Sequence, residues 1–248
     1  MRIGSLLAAC LVVCAAGAAG AAEVRVLTAG AYKSVLASLV PAWEGQTGHK
    51  VVLQNDTAGG VAKRITEGEG FDLAVLTPAT IAPLIQAGRI AGPATPLAAV
   101  GIGVAARQGA PRPDIGSPAA FKAALLAARS VAIIDPAAGG SSGIYMAKLF
   151  ETMGIAAQMA PKLVLVPGGL AADRVASGEA ELAIQQASEL IVVPGVVLVG
   201  PIPAEVQSQT VYTAGLNPAA GDAARALLSM LTGPAARAAL PAKGMTVP

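Results

Sequence analysis

Four places in the 248-residue sequence set glycine, and at three of them a hydroxyl, where an apolar strand pattern gives way to helical spacing. They are Thr28-Ala29-Gly30-Ala31, Thr57-Ala58-Gly59-Gly60, Ser141-Ser142-Gly143 and Pro167-Gly168-Gly169. A helix N-terminus presents unpaired N–H groups and about half a positive charge, so it attracts anions. Glycine lets a ligand approach the backbone closely, and Thr57 and Ser142 add hydroxyl donors. The chemistry this suggests is the capture of an oxyanion by neutral donors, with no Lys or Arg needed at the ligand. Any one junction alone reads as an ordinary N-cap or turn. Four in one α/β chain, all at the carboxyl ends of strands, read as a binding site. Lys33, Lys63 and Arg64 stand early in their helices, where the dipole disfavours cations; solvated charge on an exposed face is the simpler account of them.

The elements that must position these junctions alternate along the chain. Val24–Leu27 has the two-residue period of a strand, and Tyr32–Gln46 carries Val35, Leu36, Leu39, Val40 and Trp43 at helical spacing. Thr47-Gly48-His49 closes that helix with glycine at a C-cap position. Strands follow at Val51–Leu53 and Phe71–Leu76, and helices at Val61–Glu67 and Pro78–Ala87. After the Gly92-Pro93-Ala94-Thr95-Pro96 break comes a long apolar strand, Leu97–Ala105. Further strands are expected at Val131–Ile134, Leu163–Val166, Glu181–Gln185 and Val196–Val199, and helices at Ser117–Ala128, at Leu170–Ser177, and one opened by Gly139-Gly140-Ser141-Ser142-Gly143 and running to about Met153. The tail from Ala219 to Ala239 divides into two helical pieces at Gly233-Pro234. Regular strand–helix alternation predicts mainly parallel sheets flanked by helices.

The first residues place Arg2 before an apolar run that ends in small residues up to Ala22. That order predicts a signal peptide over 1–22, export, and a mature chain beginning at Glu23. Leu7-Ala8-Ala9-Cys10 resembles a lipobox, with lipidation of Cys10 as the second possibility. Both cysteines, Cys10 and Cys14, fall inside the leader, so the mature chain has no thiol and no disulfide. Losing Arg2 lowers the net charge from +2 to +1, without the basic excess that nucleic-acid binding requires. No P-loop and no dinucleotide-type glycine pattern occurs. Gly139-Gly140-Ser141-Ser142-Gly143 fits the G-x-S-x-G of serine hydrolases, but their triad needs a histidine after the serine, and the single histidine, His49, precedes it. The sequence therefore offers no catalytic residue, no cation site and no cofactor site.

Val26–Ala31 with the helix through Gly48, Gly60–Ile65 with Phe71–Val75, Asp135-Pro136 with Ser142–Lys148, and Val175–Ile184 resemble the periplasmic molybdate-binding protein family. The resemblance spans nearly all of the mature chain. It implies a two-lobed type II periplasmic binding fold, each lobe a mainly parallel sheet with flanking helices and the ligand cleft between. Lobe 1 is expected to hold 23–97 plus 203–248, and lobe 2 98–202. In that family two hydroxyl side chains of lobe 1, backbone groups of lobe 2 and a tyrosine hydroxyl hold the oxyanion. Ala31 stands at the first hydroxyl's place, the second falls within Thr57 to Gly60, Ser142 and Gly168 match the backbone positions, and Gln186 replaces the tyrosine. Tyr32, beside Ala31, is a substitute donor or a core residue. The resulting ligand set is Ala31, Tyr32, Thr57, Gly59, Gly60, Ser142, Gly168 and Gln186. The implied role is an exported, monomeric solute-binding protein that captures molybdate or tungstate for the permease and ATPase subunits of an ABC importer. A different small anion, inorganic or carboxylate, and a periplasmic sensor component on the same fold are the alternatives.

Overall fold

The computed structural model describes residues 20–248. Residues 1–19, which include Cys10 and most of the predicted signal peptide, lie outside the described residues. The strands are β1 (Glu23–Ala29), β2 (Lys50–Asp56), β3 (Leu73–Leu76), β4 (Ala91–Arg107), β5 (Val131–Ile134), β6 (Leu163–Val166), β7 (Leu182–Gln186), β8 (Val196–Pro201) and β9 (Gln209–Leu216). The helices are α1 (Gly30–Thr47), α2 (Ala58–Thr66), α3 (Pro78–Gln86), α4 (Pro118–Ala127), α5 (Ser141–Thr152), α6 (Ala156–Met159), α7 (Ala172–Ser177), α8 (Ala187–Leu190), α9 (Asp222–Thr232) and α10 (Pro234–Ala239). No helix among the described residues is long and apolar enough to cross a membrane.

Two sheets share one strand. The first half of β4 pairs with β9 in a sheet that continues through β3 and β1 to β2, and its second half pairs with β7 and β8 in a sheet that continues to β5 and β6. The apolar cores divide the same way. Val26, Tyr32, Leu36, Leu73 and Leu227 pack in one cluster. The second sheet has a cluster on each face, one around Phe121, Phe150 and Ile133, the other around Ala132, Val175 and Leu190.

The expected helices and most expected strands are present, but the sheets are mixed. β1 pairs parallel with β2 and β3, and β5 with β6 and β7, whereas β9 runs antiparallel between β3 and β4. β9, absent from the sequence reading, causes much of the difference. It carries Val211, Tyr212 and Thr213 in β-compatible order but runs antiparallel to both neighbours, outside the parallel strand–helix alternation. β4 begins at Ala91 rather than Leu97, because Gly92, Pro93 and Pro96 are accommodated where its register with β9 shifts.

The helix starts near the ligand side are set locally. Thr57 caps α2 by accepting from the Gly60 N–H at 2.9 Å. α1 and α5 have Ala29 and Gly140 at their N-caps, and neither makes a side-chain cap hydrogen bond. Their first N–H groups are therefore left to other partners.

Candidate functional site

A cleft of about 450 Å³ opens where the carboxyl ends of β1, β2, β5 and β7 face each other across the two sheets. α1 contributes Gly30, Ala31, Lys33, Ser34 and Ser38; β2 and the α2 cap contribute Asn55, Asp56 and Thr57. From the other sheet come Ser141 and Ser142 at the start of α5, Gly169 and Leu170 after β6, and the run Gln185, Gln186, Ser188 and Glu189. Tyr212 of β9 and Lys243 near the C-terminus complete the wall.

One side of the cleft is latched shut. The Thr57 hydroxyl donates to the Ala138 carbonyl, and the Gly59 N–H donates to the Gly139 carbonyl at 3.1 Å. Backbone meets backbone there: a β-carbon on Gly59 would stand 2.8 Å from the Gly139 Cα. Asp56 finishes this corner. Its carboxylate accepts from the Thr57 N–H at 2.7 Å and packs against Gly60 so closely that a β-carbon there would lie 2.5 Å from its Cγ. The N-terminus of α2, expected to receive the ligand, already holds a carboxylate of the chain itself.

The opposite side is a polar cluster. The Gln186 amide turns its oxygen to the Ser141 hydroxyl (2.7 Å) and the Ser142 N–H (3.2 Å), and its nitrogen to the Ser142 hydroxyl (3.0 Å) and a Glu189 carboxyl oxygen (3.2 Å). Ser141 also lies 3.4 Å from the Tyr212 hydroxyl. Gln185 accepts from the Ala171 N–H and donates to the Gly169 carbonyl, which fixes the loop after β6. The Glu189 carboxyl packs over the start of α1, 2.5 Å from where a β-carbon on Gly30 would stand. Burial without a cationic partner pushes Glu189 up to about 8, against a smaller lowering by a hydrogen bond from Gln185. Burial, and then the nearby Glu189, raise Tyr212 above the ordinary phenol range. The Ser34 and Ser188 hydroxyls are buried without a protein partner, so both remain available to a ligand.

Of the residues expected from sequence, Ala31, Thr57, Ser142 and Gln186 line the cleft. Gly59 and Gly60 instead serve the latch and the Asp56 carboxylate. Gly168 lies beside Asp56 behind the wall, and its neighbour Gly169 faces the cavity. Tyr32 is a core residue: it is fully buried in the first cluster, its hydroxyl has no partner, and burial raises its pKa. The phenol at the cleft is Tyr212. Lys63 and Arg64 pair with Glu67 and Glu69 on the surface of α2, whereas Lys33 faces the cavity. His49 accepts from the Ala22 N–H and stacks on Trp43 at the amino end of β2, away from Ser141. Sequence reasoning missed Asp56, Glu189, Tyr212 and Lys243. For Glu189 a signal existed. Gln185-Gln186-Ala187-Ser188-Glu189 follows a wholly apolar strand start, and polar residues at the carboxyl end of a buried strand mark the ligand side of an α/β sheet.

This fold, two mixed sheets joined through a shared strand with the cleft at their carboxyl ends, is that of the type II periplasmic binding proteins. The chain belongs to the family of bacterial extracellular solute-binding proteins, whose model matches residues 24–246. It is similar to the periplasmic molybdate-binding protein of Azotobacter vinelandii, with a TM-score of 0.76 and 22% identity over 91% of this chain and 100% of that one. It is also similar to the L-phospholactate-bound form of Peb3, a Campylobacter jejuni protein, with a TM-score of 0.70 and 14% identity over 90% and 99% of the two chains. Among curated proteins it is 34% identical to an aconitate isomerase of a Pseudomonas species, over 89% of this chain and 86% of that protein.

Proposed function

We propose that this protein is an exported receptor for a small polycarboxylate anion, held between the halves 23–97 plus 203–248 and 98–202. The lining of the latched cleft carries this reading. A tetrahedral oxyanion such as molybdate fills about the room of four waters, at roughly 30 Å³ each, whereas the cavity measures about 450 Å³ with one side already closed. Its walls carry Lys33 and Lys243 and the hydroxyls of Ser34, Ser142 and Ser188, beside the acids Asp56 and Glu189. Several separated carboxylates suit such a wall, each taking a helix end or a lysine. The names of two relatives support an organic acid, since one is an aconitate isomerase and the other was solved with L-phospholactate. Molybdate or tungstate, expected from the family resemblance, fits the fold but not the lining. The own-chain carboxylate at the α2 N-terminus and Ala31 in place of a hydroxyl both count against it. As in other extracellular solute-binding proteins, the partners would be the permease and ATPase subunits of an ABC importer.

Thermal shift tests the ligand class. An anion present at a hundred times its Kd stabilises by about 2.7 kcal/mol, a rise in Tm of roughly 5–10 °C for a chain of this size. Aconitate or another tricarboxylate is expected to give that rise and molybdate none. A rise with molybdate alone returns the protein to the oxyanion class. Because Lys33 and Lys243 face the ligand, the affinity is expected to fall several-fold between about 50 and 500 mM salt. Lys33→Ala should both weaken binding and flatten that dependence. A salt-independent Kd in the wild type would place the lysines outside the binding site.

A further inference from the structure

We propose that Glu189 is a proton-transfer group, and that this cleft isomerises an unsaturated polycarboxylate by moving a hydrogen between two of its carbons. The inference rests on the reading of the cleft as a polycarboxylate site. Glu189 brings a titratable carboxyl into the cavity that the proposed ligand would enter. Here the carboxyl lines the cavity over the first turn of α1, held by the side-chain amides of Gln185 and Gln186, the latter at 3.2 Å, and without a cationic partner. The rest of the cluster holds it in place: Gln186 is fixed from its other face by Ser141 and the Ser142 N–H. Asp56, the other acid on the wall, has its carboxylate engaged by the Thr57 N–H. Glu189 lines the same cavity without a cationic partner.

The chemistry asked of it is a shift across three carbons. Ionised Glu189 removes a proton from the saturated carbon next to the double bond, and the C–H electron pair spreads into the allylic system and its attached carboxylate. The resulting carboxylic acid then returns the proton to the far carbon of the former double bond. One C–H bond breaks and one forms, the double bond moves by one position, and Glu189 ends as it began. No oxidant, reductant or second substrate takes part. Burial supplies the basicity such a step needs, since a carboxyl pushed up to about 8 takes a carbon-bound proton more readily than an ordinary one. The serines, the helix ends and Lys33 and Lys243 can stabilise the charge that develops on the ligand's carboxylates.

The test incubates the mature protein with trans-aconitate in D2O. Proton NMR follows deuterium entry at the methylene and appearance of the cis isomer, while calorimetry measures binding separately. Wild-type protein is expected to do both. Glu189→Gln keeps the shape and neutrality of the protonated side chain; it should bind within a few-fold of wild type and exchange at least about a hundredfold more slowly. Glu179→Gln, at an exposed acid away from the cleft, should retain the wild-type rate. Wild-type protein that binds aconitate and neither exchanges hydrogen nor forms the cis isomer overturns the proposal and leaves the receptor reading standing. A Glu189→Gln variant that exchanges hydrogen or forms the cis isomer at the wild-type rate also overturns it. Failure of calorimetry to detect any polycarboxylate removes the receptor reading and the isomerisation together.

Discussion

Gly143→Ala is expected to lower Tm by roughly 6–12 °C, the equivalent of about 3 kcal/mol in a chain of this size. Gly143 lies in the first turn of α5, buried against the end of β5. A β-carbon there would stand 2.0 Å from the Ile134 carbonyl oxygen and 2.8 Å from its carbon. Those are backbone atoms of a central strand, so no rotamer change relieves the overlap and the helix must move off the sheet. The same movement withdraws Ser141 and Ser142 from the cleft, so ligand affinity should fall with stability. Gly45→Ala is the matched control. Gly45 is exposed inside α1 with nothing near its missing β-carbon, and alanine there should stabilise by about 0.5–1 kcal/mol. Equal effects at the two positions, measured by thermal or denaturant unfolding, would show that α5 does not pack on β5 as described.

Glu189 should leave a signature in the pH dependence of stability without ligand. Its carboxyl is raised to about 8 in the folded chain by burial and returns to an ordinary value when the chain unfolds. Between those values the folded state binds more protons than the unfolded state, so this group's contribution is fully present below about pH 4.5 and is lost as pH rises toward 8. The slope is at most about 1.4 kcal/mol per pH unit. Lys33, Lys243, Asp56 and Tyr212 line the same cavity and remain in both proteins when wild type is compared with Glu189→Gln. The variant is therefore expected to gain on wild type steadily from pH 5 to pH 8. A Tm difference between the two that stays constant over that range would mean that Glu189 is solvated and ordinary. The carboxylate of Glu179 shows the opposite case: Ser177 and Arg174 hold it below the usual range at the surface.

The α/β architecture was legible because its causes are local. Hydrophobic periodicity in α1, the Gly48 stop, the Ser117-Pro118 start of α4 and the apolar runs of β5 and β6 each depend on residues near in sequence. Glycine and hydroxyl at the strand–helix junctions likewise marked the side on which the cleft forms. What the residues there do was not legible, because it depends on which atoms arrive from far along the chain. Thr57 and Gly59 look like ligand donors until the Ala138 and Gly139 carbonyls, some eighty residues away, take their hydrogens. Tyr32 and Tyr212 are both tyrosines in apolar surroundings; side-chain direction from α1 sends one into the core, and the antiparallel insertion of β9 brings the other to Ser141. The sequence by itself determined an α/β chain with helix ends collected at strand termini, since periodicity and capping are written in consecutive residues. Only the tertiary structure decided that a buried glutamic acid faces the ligand space, because burial and the lack of an ion pair are properties of the assembled cleft and not of any segment.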